Sequence, residues 1–129
     1  MTTLNRKLQY VNMTQPVVKE ASEVEELDLD GGGKIRWLIT HRDGAKNFSM
    51  RLITVPKGKS TPNHSHDYEH EIFLIEGKGE AVLDGKKFPV DENHFLFIPG
   101  WVEHTIYAKE DMKMICIVPI SAAIKLLGP

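Results

Sequence analysis

Cysteine is almost missing from this chain: its 129 residues contain one, Cys116. No intramolecular disulfide can form, so a small secreted module built on disulfides is excluded. A charge surplus is missing too. Lys and Arg number 16 against 18 Asp and Glu, for a formal net charge of −2. That balance leaves no electrostatic footprint for nucleic acid or an anionic membrane. No apolar run approaches the length of a membrane span. The opening MTTLNRKLQYVNMTQPVV lacks the apolar core of a secretory signal, and the expectation is a cytoplasmic protein. Three chemical signatures are also absent: a G-x-S-x-G elbow, a phosphate-binding glycine loop and a C-x-x-C pair. GGGK at 31–34 lacks P-loop spacing. Cys116 itself lies in MKMICIVPI, among residues that read as buried, and is expected to be an inert small apolar residue.

What the chain does have is a run of short β-type segments between turn signals. KIRWLIT (34–40), FSMRLITV (48–55), HEIFLIEG (70–77), EAVL, KKFPV, HFLFIPG (94–100), HTIYA (104–108) and MKMICIVPI (112–120) follow one another. Branched and aromatic residues dominate them, and Gly or Pro ends several. Asp43-Gly44 and Asp84-Gly85 are hairpin signals. Four consecutive apolar residues in HEIFLIEG predict burial on both faces there. SAAIKLLG is the one candidate for a short helix. Strands at this density predict an all-β sandwich or barrel, and no βαβ alternation appears. Residues 1–33 differ: KEASEVEELDLD is acidic and GGG follows. We read 1–33 as an acidic N-terminal arm, able to supply a swapped strand, and 34–129 as the barrel domain.

Histidine is the residue in excess. Four of the six lie at His64, His66, His70 and His104. On an extended chain, residues i and i+2 share a face, so His64 and His66 project together. A tight turn over Asp67-Tyr68-Glu69 brings His70 alongside, and His104 opens another strand after Pro99-Gly100. Imidazole suits Mn, Fe, Ni, Cu and Zn, so the four are a candidate cage for one divalent transition metal.

This pattern resembles the cupins. Gly58, His64, His66, His70 and Gly77 are similar to the first cupin motif, and Asn93, Pro99 and His104 to the second. The resemblance covers roughly 45–120. It implies an antiparallel jelly-roll β-barrel, a metal on the four histidines, and a homodimer formed through a sheet's outer face. Departures exist. The third ligand position, often Glu in cupins, is His70, with Glu71 beside it; alternation puts Glu71 on the opposite face. Asn93 stands where the family has Gly, and Asn tolerates a left-handed backbone. Gly100 comes one place early, leaving Trp101 in the family's glycine slot. Ala108 replaces a usual Asn.

Several neighbours have a bland and a functional reading. Glu76 shares parity with His70, Ile72 and Leu74; it is either a general acid or base in the barrel or a solvated strand end. Trp101 and Tyr107 are pocket or rim candidates, or plain packing. His94 is an outside candidate, and His41 has no nameable partner. Arg51 and Lys113 reach a substrate anion only if they face inward; the simpler view puts them on a solvent or interface face. Phe73 and Ile75, opposite the ligands, suit packing or a dimer interface. Four neutral imidazoles leave the metal's full charge, which favours a small carboxylate-bearing or oxygen-rich anion. The expected function is thus a metalloenzyme of dioxygenase, decarboxylase or isomerase type. The alternative is a non-enzymatic module that binds or senses a small ligand or the metal.

Overall fold

The computed structural model describes residues 15–129. The first part of the expected arm therefore lies outside the described residues. From residue 15 the chain makes a 3-10 turn (Ala21–Glu23) and a short strand, β1 (Glu26–Asp28). Eight further strands follow: β2 (Lys34–Ile39), β3 (Phe48–Val55), β4 (His70–Glu76), β5 (Gly79–Leu83), β6 (Lys86–Val90), β7 (Phe95–Ile98), β8 (His104–Ala108) and β9 (Met112–Pro119). One helix, α1 (Ile120–Leu127), comes last. No helix among the described residues is long and apolar enough to cross a membrane.

The strands form two antiparallel sheets, ordered β1-β2-β3-β9-β4-β7 and β6-β5-β8. This is the expected all-β barrel class. Alternation builds its interior. Every second residue of β9 is buried (Met112, Met114, Cys116, Val118), as are Ser49, Arg51, Ile53 and Val55 of β3. Leu74, Ile98, Ile106 and Met114 are fully enclosed. Each such side chain stabilises the fold by roughly 1.5–3 kcal/mol relative to exposure. The lower barrel is thus sealed by aliphatic packing, and the polar residues gather at one end.

The two Asp-Gly hairpin signals take different forms. Asp84-Gly85 makes its hairpin: both residues have positive φ, 52° and 79°, and join β5 to β6 across the Leu83–Lys86 pair. Two left-handed residues in succession match the twist of paired strands. Asp43-Gly44 also lies between paired antiparallel strands, β2 and β3, but in a longer connection and not as a two-residue turn. The Thr40 backbone N–H donates to Asp43 Oδ2 at 2.9 Å, and Arg42 N–H donates to Thr40 Oγ1. This local cap winds His41–Asp43 into a 3-10 turn instead. That turn also serves the chain's end. His41 Nε2 meets the Gly128 carbonyl at 2.7 Å, and Arg42 donates to the carbonyls of Leu127 and Pro129. His41 therefore has a structural partner at the carboxyl-terminal end of the helix.

β4 departs from the expectation of two buried faces. Ile72 and Leu74 point into the core, while Phe73 and Ile75 are 45% and 39% exposed. The outer face is apolar but open. β1 pairs with β2 of the same chain (Leu27 opposite Ile35), and Leu29, just after it, packs against the core.

Candidate metal centre

Two sheets and one loop meet at the polar end of the barrel. His70 is the first residue of β4 in the larger sheet, and His104 the first of β8 in the smaller one. His64 and His66 belong to the irregular segment between β3 and β4. That segment is tied down by backbone bonds: His64 N–H donates to the His104 carbonyl at 3.2 Å, and His104 N–H to the His64 carbonyl at 2.9 Å. The i, i+2 spacing then sends both loop imidazoles inward. Ring centroids lie 4.9 Å apart for His64–His66, 4.7 Å for His64–His104 and 4.8 Å for His66–His104. The ligand atoms of His64, His66 and His104 all lie within 4.8 Å of one another. This triad could hold a metal ion.

Hydrogen bonds on the far side of the rings set their tautomers. His66 Nδ1 faces the Tyr68 carbonyl at 2.8 Å, and His104 Nδ1 faces the Val102 carbonyl at 2.8 Å. Both Nδ1 atoms therefore carry the proton, and each Nε2 presents a lone pair to the centre. Outer partners of this kind orient histidines that bind metals. His104 Nε2 is buried and has no hydrogen-bond partner. A buried nitrogen left without a partner is costly, and a cation at the centre of the triad would satisfy it. The donor set thus fits a borderline divalent ion.

His70 stands against the triad. Its Nε2 is 2.7 Å from His66 Nε2. Two nitrogens at right angles on a metal with bonds of about 2.0–2.1 Å lie about 2.9 Å apart, so the spacing suits neighbouring ligands. Behind it, His70 Nδ1 is 3.1 Å from Arg51 Nη2 and 3.1 Å from Cys116 Sγ. Burial, then the charge of Arg51, push the His70 imidazole down to about 2. Burial, then His104 and His66, lower His64 to about 4. His66 and His104 are lowered as well, chiefly by burial. All four rings are held neutral, the form in which imidazole binds metals.

The remaining expectations divide. Glu71 is exposed on the outer face, as alternation requires, and cannot replace His70. Glu76 does not line the barrel. A register shift between Leu74 and Glu76 breaks the parity on which that reading rested. Glu76 is solvent-exposed and lies 3.9 Å from Lys113 Nζ. Tyr107 faces outward between the buried Ile106 and Ala108 and is 43% exposed, so it lines no chamber wall. Trp101 lies at the rim, 73% exposed, with its N–H donating to the His66 carbonyl. His94 caps its own turn, accepting at Nδ1 from Asp91 N–H at 2.7 Å. Tyr68 stacks on His66, centroids 3.7 Å apart and planes 8° apart.

Two residues near the centre were not expected there. Arg51 faces inward and is 5% exposed. Cys116 is buried, as expected, but its sulfur touches His70 and Arg51. The signal available for Arg51 was its parity with Ile53 and Val55. Below the histidines lies a chamber of about 60 Å³ walled by Arg51, Thr61 and aliphatic side chains, including Leu29 from the arm.

A family model described as "Cupin domain" matches residues 51–118. L-ectoine synthase of Teredinibacter turnerae is 28% identical over 78 residues, which span 59% of each protein. L-ectoine synthase of Shouchella clausii is 30% identical over 93 residues, 70% of this chain and 69% of that one. Among solved structures, the polyketide cyclase RemF from Streptomyces resistomycificus superposes with a TM-score of 0.73 at 26% identity, covering 82% of this chain and 80% of that chain. The matched residues 51–118 run from the inward Arg51 through all four clustered histidines to the end of the β9 core, and the chain belongs to the cupin family.

Proposed function

We propose that this cupin is a metal-dependent enzyme acting on a small carboxylate-bearing or oxygen-rich anion. His64, His66, His70 and His104 would hold one divalent transition metal. The observation that carries this reading is His104 Nε2, buried without a partner and converging with ligand atoms of His64 and His66. A metal held there supplies a positive centre that polarises a substrate oxygen.

His70 sets a condition on the full ligand set. In the present arrangement its Nδ1 accepts from Arg51 and its Nε2 donates toward His66. To offer Nε2 as a ligand, His70 must carry its proton on Nδ1. Cys116 Sγ, 3.1 Å from that atom, is placed to accept it. Trp101, tied through its backbone N–H to the His66 carbonyl, would bound the ligand on its open side. The similarity to a structure named as a polyketide cyclase favours a ring-closing reaction over oxygen chemistry.

Elemental analysis of natively purified protein tests the site. Stoichiometric Mn, Fe, Ni, Cu or Zn is expected, falling at least tenfold in His104→Ala and less in His70→Ala. Unchanged metal in both variants would overturn it.

One observation favours the second reading, a non-catalytic binding module: among the described residues no Asp or Glu lines the chamber. A small acid that binds the loaded protein and is recovered chemically unchanged, with no hydrogen exchanged for solvent deuterium, would select that reading. We also infer a homodimer, with the outer face around Phe73, Phe95 and Phe97 as its contact surface.

A further inference from the structure

A guanidinium inside a barrel needs a counter-charge, and Arg51 has none among the described residues. It sits in the middle of β3, 5% exposed, opposite Cys116 of β9. Its Nη2 donates to Cys116 Sγ at 2.8 Å and to His70 Nδ1 at 3.1 Å, both uncharged partners. Its Nε is buried with no hydrogen-bond partner. The guanidinium also lies over the Trp37 ring, whose centroid is 5.0 Å from the guanidinium carbon. Among the described residues, none of the ion pairs involves Arg51. Burying a charge without a partner is strongly unfavourable. An apolar side chain would fill the same space without that cost.

Arg51 shares its chamber with His64, His70 and His104. We propose that Arg51 is the carboxylate anchor of this chamber, and that the ligand is a small carboxylic acid with a hydrocarbon body. This rests on reading the chamber as the ligand site and narrows its substrate class. A planar fork of N–H donors matches the two oxygens of a carboxylate. The walls select the rest of the ligand. Ile35, Ile53, Ile72, Ile106 and Met114 offer no hydrogen bonds along the ligand's flank, so a polyhydroxylated body would lose its water without replacement. A carboxylate at Arg51 places the ligand's other end toward the histidines, where the metal-dependent chemistry is proposed.

The test uses full-length protein stripped of metal, so that chelation plays no part. Butyrate and its neutral isostere butyramide are titrated by calorimetry, with tartrate as the oxygen-rich comparison. Butyrate is expected to bind at least tenfold more tightly than butyramide or tartrate. In Arg51→Met the preference over butyramide should vanish, while the thermal midpoint stays level or rises because a buried charge has gone. A wild type that does not discriminate, or an Arg51→Met protein that still does, overturns the proposal. So does an Arg51→Met protein that folds poorly while Arg51→Lys restores stability without restoring the preference, since the residue is then structural. Metal content of Arg51→Met, expected unchanged, reads the metal site separately. Carboxylate preference in a protein that never takes up metal would sink the metal reading and leave this one standing.

Discussion

Trp101 donates its backbone N–H to the carbonyl of His66 at 2.7 Å, and does so from a left-handed backbone with φ of 67°. A bulky residue in that conformation costs roughly 1–2 kcal/mol, a strain glycine escapes. The bond ties the turn before His104 to the loop that carries His64 and His66. The indole, 73% exposed, gains little from packing in return. Trp101→Gly is therefore expected to raise stability by about 1 kcal/mol, read as a higher urea midpoint, while weakening ligand retention at the rim. A lower midpoint would mean that indole packing outweighs the strain.

How much of this site could be read from the sequence depends on how local each signal is. H-x-H, the turn to His70 and the Asp84-Gly85 hairpin are short-range patterns, and they appear in the structure where the spacing puts them. The class of fold followed from the same turns. Arg51 was harder. Both faces of FSMRLITV carry apolar residues, so alternation alone could not say which parity points inward. The pairing of β3 with β9 decides it, by setting Arg51 opposite the buried Cys116. Of the two readings of Glu76, the barrel-lining one relied on parity counting, which assumes an unbroken ladder. The slip between Leu74 and Glu76 arises from pairing with Lys113, 37 positions away, and no local motif marks it. The contact of Cys116 with His70 spans 46 positions and is likewise a product of the assembled sheet.

Gly77 shows how closely the end of β4 is built. Its φ is 87°, and a Cβ there would meet the Asp111 carbonyl oxygen at 2.1 Å. Backbone cannot yield as a flexible side chain does. Gly77→Ala is expected to destabilise the protein by roughly 2–3 kcal/mol. Equilibrium urea unfolding measures this. A change under 0.5 kcal/mol, about the scale of a neutral surface substitution, would show that the β4–β9 junction relaxes freely.

The outer face predicts the oligomeric state. β7 is an edge strand, and Phe95 and Phe97 on it are 81% and 55% exposed. With Glu71, Phe73, Ile115 and Ile117 they line an open apolar groove. Exposed apolar edges invite pairing with another chain. Light scattering at micromolar concentration is expected to give about twice the 14.6 kDa chain mass. The double variant Phe95→Asp, Phe97→Asp should halve that mass and keep its β-sheet circular dichroism. A monomeric wild type would refute the interface.

The neutral histidines predict how the metal-free protein responds to acid. Burial lowers His64 to about 4 and, with the Arg51 charge, His70 to about 2, against an ordinary value near 6.5. The unfolded chain therefore takes up protons first as pH falls, and proton uptake pulls the equilibrium toward unfolding. Sites with a depressed folded value keep their full contribution above about 6.5. They lose it as pH drops from there through about 4 for His64, and further down for His70. Carboxylates in the unfolded chain titrate near 4, so the interval from 6.5 to 5 reports mainly on histidine. Urea midpoints of metal-free protein should fall steadily across that interval. The slope should flatten in His70→Gln, because one proton-refusing site has been removed. A midpoint flat from pH 7.5 to 5 would show that the four rings are free to charge in the folded state.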